Sequence, residues 1–593
     1  MNLSSTIKSI QDIMRKDDGV DGDAQRLGQL TWMLFLKVFD QREQEWEADN
    51  RKYKSPIPGR CRWRNWAEFD ADDQGKKKPK IAASDLIGFV NNELFPSLQE
   101  KIDPRLGPQY EVIRSVFKDA NNYMKSGPLM LAVIEKLEEA INFNDFKTRA
   151  NLGDVYEQLL NDLRGAGNAG EFYTPRAITA FMVDRVAPSL KKGETVLDPA
   201  CGTGGFLTAA IDHFGNQVAK KSSAVDKNTI ELLIHGIEKK QLPHLLCTTN
   251  MLLHGIDVPS RIEHRNTLGR PWEDWAAKEK VDCLITNPPF GGYESDGVGA
   301  DYPADLRTRE TADMFMALII KKLLKDKGRA AVVLPDGFLF GEGIKNTLKK
   351  LLMRDCNLHT IVRLPKGVFA PYTTIKTNLL FFTKGRTMRE GGEHFHTDTI
   401  WFYEHPYPPG YKSYSKTKPI QGKEFDTIKA WWGKESEDFA SRAETPLAWK
   451  VDFKAKRLKA EAAAAPHRQR SEQLSNQAAA LDKDLRALRE SIKGVTTPKK
   501  RKIAEDRMAA LREKIETLRL QARDAQAAGD RLYWPIFNLD IKNPNTAEEE
   551  IHKPDVLLEK YKKLLGEIEE TQNQLKSELA AALAHHFARE VET

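Results

Sequence analysis

The sequence predicts an α/β fold in its middle part, with helical regions on both sides. Short apolar runs alternate with helical segments between about 160 and 390, whereas the preceding residues repeat apolar side chains at helical spacing. The residues after about 455 are rich in Ala, Lys, Glu and Leu. Strands that alternate with helices form mostly parallel sheets. We therefore predict three regions: helical residues 1–160, an α/β domain over 161–455 and a helical C-terminal region over 456–593.

The composition indicates a soluble, reduced protein. The net charge of the 593 residues is only +6, so a surface for nucleic acid would have to come from local clusters of basic residues. The five cysteines include no C-x-x-C pair, which argues against a disulfide framework or a zinc ribbon. No signal peptide or apolar run of membrane-spanning length is present, so we expect a cytoplasmic protein.

Residues 1–160 carry two clear helical patterns. Apolar side chains recur at steps of three and four at Leu27, Leu30, Leu34 and Val38, and again at Met130, Val133, Leu137 and Ile141. Between them, residues 51–64 hold six basic residues, two prolines and one Trp, and "GKKKPK" follows at 75–80. The simpler interpretation is a solvated loop, and the alternative is a loop that contacts phosphates, because clustered Arg and Lys with interleaved aromatic residues suit a nucleic-acid backbone.

The middle region contains five strand candidates and a helix candidate. The strands are expected within 194–206, 281–290, 329–337, 358–365 and 376–384, and the helix within 313–325. The last strand of the sheet is expected near Lys384, and "WFYEHPYPPGYKSYSK" after it is expected to be loop and a short hairpin. Ligands of such sheets bind at the carboxyl ends of the strands. Two of these strands run into unusual loops at those ends.

The first unusual loop is "DPACGTGGF" (198–206), between a strand and a helix. Gly202, Gly204 and Gly205 allow the backbone to turn sharply and to approach a ligand closely. The loop lacks the G-K-[ST] of a phosphate-binding P-loop. Asp198 at the strand end suits a positively charged group, such as the amino group of the methionyl part of S-adenosylmethionine.

Glu238 is a second candidate for binding such a cofactor. It lies in "LLIHGIEKK" (232–240), which resembles a second strand whose terminal carboxylate accepts hydrogen bonds from ribose hydroxyls. The alternative is a surface Glu at the end of a strand.

The second unusual loop is the break in "VDCLITNPPFGG" (281–292). The exocyclic N6 of adenine is a poor nucleophile because its lone pair is conjugated into the ring. Two acceptors for its N–H groups would free that lone pair, and the Asn287 side chain and the Pro288 carbonyl can supply them. Pro288 and Pro289 fix the backbone, and Phe290 offers a face for a flipped-out base. A plain Asn-Pro turn is the alternative, which becomes weak when the loop is paired with 198–206.

Together, "DPACGTGGF" and "NPPF" resemble the N6-adenine DNA methyltransferases, which have the class I, Rossmann-like methyltransferase fold. Further stretches are similar to one subgroup, the modification subunits of type I restriction–modification systems. These stretches are "GEFYTPR" (170–176), "NTLG" (266–269), "GRAAVVLPDGFLF" (328–340) and "NLDIKNPN" (538–545). The resemblance covers most of the chain, and its motifs occur in one order.

The resemblance implies a role for each matching position. The methionyl end of S-adenosylmethionine would be bordered by Glu171, Phe172, Tyr173, Thr174, Pro175 and Arg176, with Asp198, Gly202, Thr203, Gly204 and Gly205 beneath it. Glu238 would hold the ribose, and Asn266 would lie near the cofactor adenine. Asn287, Pro288, Pro289 and Phe290 would form the pocket for the target base. The sulfonium is already activated, so no metal is expected. Arg265 departs from the pattern, because glycine is common at that position.

The C-terminal region predicts helices for docking. Apolar residues at coiled-coil spacing, interrupted at "GVTTPKKRK" (494–502), indicate an antiparallel hairpin over about 470–525, and another amphipathic helix is expected from Val556 to about Phe587. No module for reading bases is evident after the sheet, nor a nuclease or translocase motif. The resemblance therefore implies DNA, a specificity subunit, a second copy of the chain and a restriction subunit as partners.

Two other functions remain open from the residues alone. The chain could methylate a protein glutamine or an RNA base, since such enzymes also use Asn-Pro-Pro, usually followed by Tyr. It could also be a non-catalytic assembly subunit that retains the fold. Phe290 and the helical N-terminal region favour DNA over the first alternative, and the intact Asp198 and Asn287 argue against the second.

Overall fold

The computed structural model describes residues 3–140, 174–219, 227–370, 373–385, 394–415, 417–493, 497–545 and 554–590. The chain forms two units, Met1–Lys542 and Asn543–Thr593. None of the described helices is long and apolar enough to cross a membrane.

A mixed sheet of nine strands forms the centre of the first unit, and it confirms the predicted α/β class. Its strands lie in the order β11-β10-β8-β9-β7-β6-β3-β4-β5. Strand β9 is antiparallel to both of its neighbours and β11 is antiparallel to β10, whereas the other neighbouring pairs are parallel. The strands are β3 (Val196–Asp198), β4 (Ile234–Glu238), β5 (Ile262–His264), β6 (Val281–Thr286), β7 (Leu324–Pro335), β8 (Cys356–Arg363), β9 (Thr377–Lys384), β10 (Thr399–Glu404) and β11 (Ala448–Asp452).

The sheet changes direction between β3 and β6. From β3 the chain moves outward to β4 and β5, and from β6 it moves outward the other way to β7. The loops that leave β3 and β6 therefore diverge, which opens a crevice at the carboxyl ends of these strands. Both unusual loops of the sequence follow these two strands.

Two strands extend the sheet beyond its predicted end, so the expectation of a last strand near Lys384 is wrong. Residues Trp401–Tyr403, expected in a loop and short hairpin, lie in β10, which pairs in parallel with β8. Strand β11 then pairs with β10 across Phe402 and Trp449, whose rings stack at 5.3 Å. The intervening polar segment masks the pairing in the sequence, because β11 lies more than forty residues after β10.

Helices cover the two faces of the sheet. They are α8 (Arg176–Val186), α9 (Gly205–Ala219), α10 (Lys227–Leu233), α11 (Gln241–Leu253), α12 (Thr311–Leu318), α13 (Asp336–Phe340), α14 (Ile344–Asp355) and α15 (Asp426–Trp431). The apolar side chains of the strands alternate between two cores, one on each face.

The N-terminal region is mainly helical, as predicted. It contains α1 (Leu3–Met14), α2 (Asp23–Asp49), α3 (Trp63–Trp66), α4 (Ala83–Phe89), α5 (Phe95–Gln99), α6 (Pro108–Phe117) and α7 (Gly127–Ala140), with a small hairpin of β1 (Phe69–Ala71) and β2 (Lys77–Pro79). Its core includes the predicted apolar residues of α2 and also Leu245, Leu246 and Leu252 of α11. Helix α11 therefore belongs to two cores, because its other face packs beneath the sheet.

Half of the basic residues in the loop over 51–64 form ion pairs with acidic side chains. Arg62 and Arg64 form ion pairs with Glu47, and Arg64 also pairs with Asp40, which is 2% exposed. Arg60 pairs with Glu93. These contacts give half of the six basic residues a structural partner, so a role in binding phosphate stays a prediction for the exposed Arg51, Lys52 and Lys54.

Two long helices follow the sheet as an antiparallel hairpin, α16 (Phe453–Ile492) and α17 (Pro498–Tyr533). Four residues of the predicted stripe are buried between them: Leu474, Ala478, Ile515 and Ala522. The hairpin is longer than the predicted 470–525 because α16 continues directly from β11. The side chain of Asp452 caps α16 by accepting from the Ala455 N–H at 2.8 Å.

The second unit contains α18 (Pro554–Glu590), the predicted last helix. Its apolar side chains are 46–68% exposed at Leu558, Tyr561, Leu564, Leu565, Ile568, Leu575 and Leu579. The predicted boundaries at 160 and 455 both fall inside the first unit, which ends at Lys542. The division into three regions therefore stays a prediction.

A buried ion pair ties the amino ends of the central strands together. Arg329 of β7 donates to Glu194 at 2.6 Å and to the carbonyl of Val186 at 2.8 Å. Glu194, which precedes β3, is 8% exposed and also accepts from the Ser189 N–H at 2.9 Å. Burial alone would raise the pKa of Glu194, but Arg329 and the Ser189 N–H hold it below its usual value.

We expect Arg329→Met to lower the free energy of unfolding by about 3 kcal/mol, because the buried Glu194 would keep only the exposed Lys192, 3.8 Å away, as a cation. Thermal melting measures the effect. The double variant Arg329→Met/Glu194→Gln should recover part of the loss, since no buried charge then remains. An unchanged melting temperature in the single variant would contradict this role.

Candidate active site

The ends of β3 and β6 are joined by one buried hydrogen bond. The Thr286 hydroxyl donates to Asp198 Oδ1 at 2.7 Å, and the Ala200 N–H donates to the same oxygen at 3.1 Å. Asp198 is 1% exposed, and no cation among the described residues forms an ion pair with it. Burial raises the pKa of Asp198 to about 7, the two hydrogen bonds oppose this, and the nearby Glu238 adds to it. Asp198 thus keeps an unpaired carboxyl at the base of the crevice.

Glu238 ends β4, as predicted, and its carboxylate holds the glycine-rich loop. It accepts from the Gly202 N–H at 2.9 Å and from the Lys240 N–H at 2.7 Å. Burial raises the pKa of Glu238, although these backbone hydrogen bonds oppose the shift. Each carboxylate oxygen has a further lone pair for a ligand hydroxyl.

Two glycines of this loop adopt left-handed backbone, Gly202 with φ +52° and Gly204 with φ +83°. A Cβ on Gly204 would lie 2.8 Å from Cys247 Sγ and 3.1 Å from Met251 Cε. A Cβ on Gly202 would meet nothing within 4 Å. The Asn250 side chain donates to the Thr203 carbonyl at 3.1 Å, so helix α11 supports the loop from below.

Asn287 follows Thr286 directly and lies at the same edge. Its Nδ2 donates to the Thr174 hydroxyl at 2.9 Å, which brings the segment before α8 to the crevice. Its Oδ1 is buried and has no hydrogen-bond partner among the described residues. Since unsatisfied buried acceptors are rare, this oxygen is a candidate acceptor for a ligand N–H.

The residues after Asn287 are held from α12. The Thr311 hydroxyl lies 3.1 Å from the Pro289 carbonyl and 2.9 Å from the Gly292 carbonyl, and its single proton is shared between these two acceptors. Pro288 is buried, and Phe290 is partly buried against the core of one sheet face. The loop therefore has a fixed backbone, as its prolines predict.

Asn266 makes a contact that the sequence does not predict. Its Nδ2 donates to Glu294 at 3.2 Å, and Lys239 donates to the same carboxylate at 2.9 and 3.0 Å. Glu294, 6% exposed, lies in the loop that follows Phe290. This network links the loop after β5, the end of β4 and the loop after β6. Arg265 points elsewhere, stacking on Trp275 at 5.1 Å.

Family profiles cover the N-terminal region and the nine-stranded sheet. The profile for N-6 DNA methylases matches residues 147–460, and that for the N-terminal domain of HsdM matches residues 3–137. The chain belongs to the N-6 DNA methylase family.

Relatives place this methylase in type I restriction–modification systems. The chain is 48% identical over 585 residues to the Type I restriction enzyme EcoEI methylase subunit of Escherichia coli, covering 98% of this chain and 99% of that protein. A solved modification subunit of a putative type I restriction enzyme from Vibrio vulnificus is 39% identical, with a TM-score of 0.62 over 76% of this chain and 92% of that one. A chain solved in work on assembly and conformational transition of the type I R-M system is 30% identical, with a TM-score of 0.65 over 97% and 99%.

The methylase subunit accordingly transfers a methyl group to N6 of adenine in DNA. This confirms the predicted reaction and excludes the alternatives of a glutamine, an RNA base or a non-catalytic subunit.

The structure brings most of the predicted site residues of the methylase to one edge of the sheet. Glu171, Phe172 and Tyr173 lie outside the described residues, and Arg176 is exposed at the start of α8. The sequence reasoning missed Thr286, Asn250, Glu294 and Thr311. Thr286 could have been found as the last strand residue before Asn287, whereas the partners of the other three lie in distant segments.

We expect Gly204→Ala to lower the melting temperature of the ligand-free methylase more than Gly202→Ala. Both replacements put a side chain at a positive φ, which costs about 1–2 kcal/mol, but only the first adds a contact with Cys247. Differential scanning calorimetry of the two variants measures the difference. Equal losses would show that the loop is not packed against α11.

Proposed function

We propose that the crevice binds S-adenosylmethionine as the methyl donor. The residues fit this group in three respects. Asp198 is a buried carboxyl that forms no ion pair within the described part of the chain, and it suits the amino group of the methionyl part. Glu238 ends the neighbouring strand and has lone pairs for ribose hydroxyls. Three of the four residues from Gly202 to Gly205 are glycines, which allow a ligand to approach the backbone closely.

The remaining predicted positions surround these two carboxylates. Thr174, Pro175 and Arg176 would border the methionyl end together with Glu171, Phe172 and Tyr173. Asn266 would lie on the adenine side, where it is held by Glu294. When bound, the donor supplies a methyl group activated on a sulfonium, so the protein has to provide position and polarity rather than a strong base.

Asn287 is the residue on which the chemistry depends. Its unpartnered Oδ1 can accept one N–H of the target amino group, while Thr174 holds the other end of the amide. The Pro288 carbonyl is the proposed second acceptor. Hydrogen bonds to both N–H groups favour a pyramidal nitrogen and free its lone pair for attack. Phe290 is the proposed stacking face for the extruded adenine.

We expect Asn287→Ala to reduce methylation about 10²–10³-fold, because one preorganised polar contact is lost. Binding of S-adenosylhomocysteine should remain close to that of the wild type, since Asn287 faces the base. Radiolabelled methyl transfer and calorimetry measure the two quantities. Methylation at the wild-type rate would refute the two-acceptor mechanism.

The affinity for S-adenosylhomocysteine should depend on pH through Asp198. An ammonium group favours the ionised carboxylate, so the Kd should rise about tenfold for each pH unit below the pKa of about 7. The ligand amino group is that of a free amino acid, and its neighbouring carboxylate keeps it protonated over the pH range of the measurement, so affinity should reach a plateau above the pKa of Asp198. Calorimetry between about pH 5.5 and 8.5, a range that brackets the pKa of Asp198, measures the profile.

The control for this profile is Asp198→Asn, which removes the titrating carboxyl. This variant should bind weakly at every pH, and its Kd should not rise further as the pH falls. If the Kd of this variant still rises as the pH falls, the effect belongs to another group, such as Glu238.

We further propose that the methylase works with partners. The described residues after the sheet form mainly the α16–α17 hairpin and α18. A specificity subunit would choose the target adenine, together with a second methylase copy and a restriction subunit in the full system. The exposed apolar side chains of α18 support a docking role for that helix. The methylase is proposed to act in the cytoplasm.

A further inference from the structure

Helix α11 is shared by the N-terminal domain and the glycine-rich loop. Leu245, Leu246 and Leu252 lie in the core of the N-terminal domain, whereas Cys247 and Met251 lie in the core beneath the sheet. Polar contacts add to the first side. Gln241 donates to the Val116 carbonyl at 2.6 Å, and Arg42 donates to the Leu252 carbonyl at 3.4 Å. The N-terminal domain therefore fixes the position of α11.

Asn250 lies on the side of this helix that faces the glycine-rich loop. It is three residues after Cys247, so the two side chains share a face. Its Nδ2 donates to the Thr203 carbonyl at 3.1 Å. Because a carbonyl oxygen only accepts hydrogen bonds, this contact fixes the direction of the amide. The Oδ1 is left buried without a partner among the described residues, and the whole residue is 5% exposed.

This arrangement is unfavourable for the stability of the helix alone. Asn is a weak helix former, and a buried amide oxygen without a partner carries a desolvation cost. An apolar side chain would pack at this place without either cost. What Asn250 supplies instead is the one side-chain bond from α11 to the loop backbone among the described contacts.

The loop is held at three successive residues. Glu238 accepts from the Gly202 N–H, Asn250 donates to the Thr203 carbonyl, and Cys247 fills the space that a Cβ on Gly204 would need. The contact with Glu238 comes from the sheet, and the other two come from α11. The peptide between Thr203 and Gly204 is therefore held at both of its polar groups: its carbonyl accepts from Asn250, and its N–H donates to the Cys201 carbonyl at 2.8 Å within the loop. Asn250 supplies the part of this hold that comes from α11.

We propose that Asn250 is a positioning residue for the methyl donor. The N-terminal domain fixes α11, and Asn250 on α11 in turn fixes the glycine-rich loop. This inference rests on the proposed function, in which the loop lies beneath the donor. Asn250 does not need to touch the donor, because it acts through the Thr203 carbonyl. It determines affinity for the donor rather than the rate of methyl transfer.

The test compares three variants of the full chain by calorimetry with S-adenosylhomocysteine. Asn250→Ala should raise the Kd about five- to tenfold, as expected for one hydrogen bond. Asn250→Asp keeps the size of the side chain but sets a carboxylate against the Thr203 carbonyl, so it should weaken binding too and serves if the first variant does not fold. Thr248→Val is the control, because the Thr248 hydroxyl binds only the His244 carbonyl within the same helix.

Kinetics of the methyltransferase complex separate positioning from a merely structural effect. Asn250→Ala should raise the KM for S-adenosylmethionine by the same factor as the Kd and leave kcat at saturation nearly unchanged. A Kd within about twofold of the wild type, or an equal change in Thr248→Val, would overturn the inference. If the wild-type chain itself fails to bind S-adenosylhomocysteine, the proposed methyl donor is wrong and the inference falls with it.

Discussion

The hydrogen bond from Thr286 to Asp198 is the constraint on which the active site depends. It joins the last residues of β3 and β6, the two strands from which the chain departs in opposite directions. The loop after β3 carries the proposed cofactor contacts, and the loop after β6 carries Asn287. A buried 2.7 Å bond between the strand ends keeps these two loops in register. The donor methyl and the target nitrogen must meet within a small distance, so this register is a requirement of the reaction.

Several buried polar groups around this bond have unused hydrogen-bonding capacity. Among the described residues, Asp198 has no cationic partner and Asn287 Oδ1 has no hydrogen-bond donor. Groups of this kind reduce stability unless a ligand satisfies them. Their presence at one edge of the sheet distinguishes a functional crevice from the ordinary end of a strand, and the raised pKa of Asp198 is a direct consequence of the same burial.

The N-terminal domain contributes to the site indirectly. Its core includes one face of α11, and the other face of that helix supports the glycine-rich loop. The basic loop of the domain uses Arg60, Arg62 and Arg64 to bind its own acids. The sequence shows the cluster of positive charge but not the acids that neutralise it, because Glu47 and Glu93 lie in other helices. Composition alone therefore overstates the charge that remains for DNA.

The sequence by itself determined the strand ends, the glycine-rich loop and the Asn-Pro-Pro-Phe loop, together with the reaction that they imply. These features are local, because glycine, proline and strand periodicity act on the backbone of neighbouring residues. Only the tertiary structure decided that β10 and β11 extend the sheet, that Glu294 holds Asn266 and that Asn250 holds Thr203. Each of these contacts joins segments far apart in the chain, and their pairing depends on how the whole sheet and its helices pack.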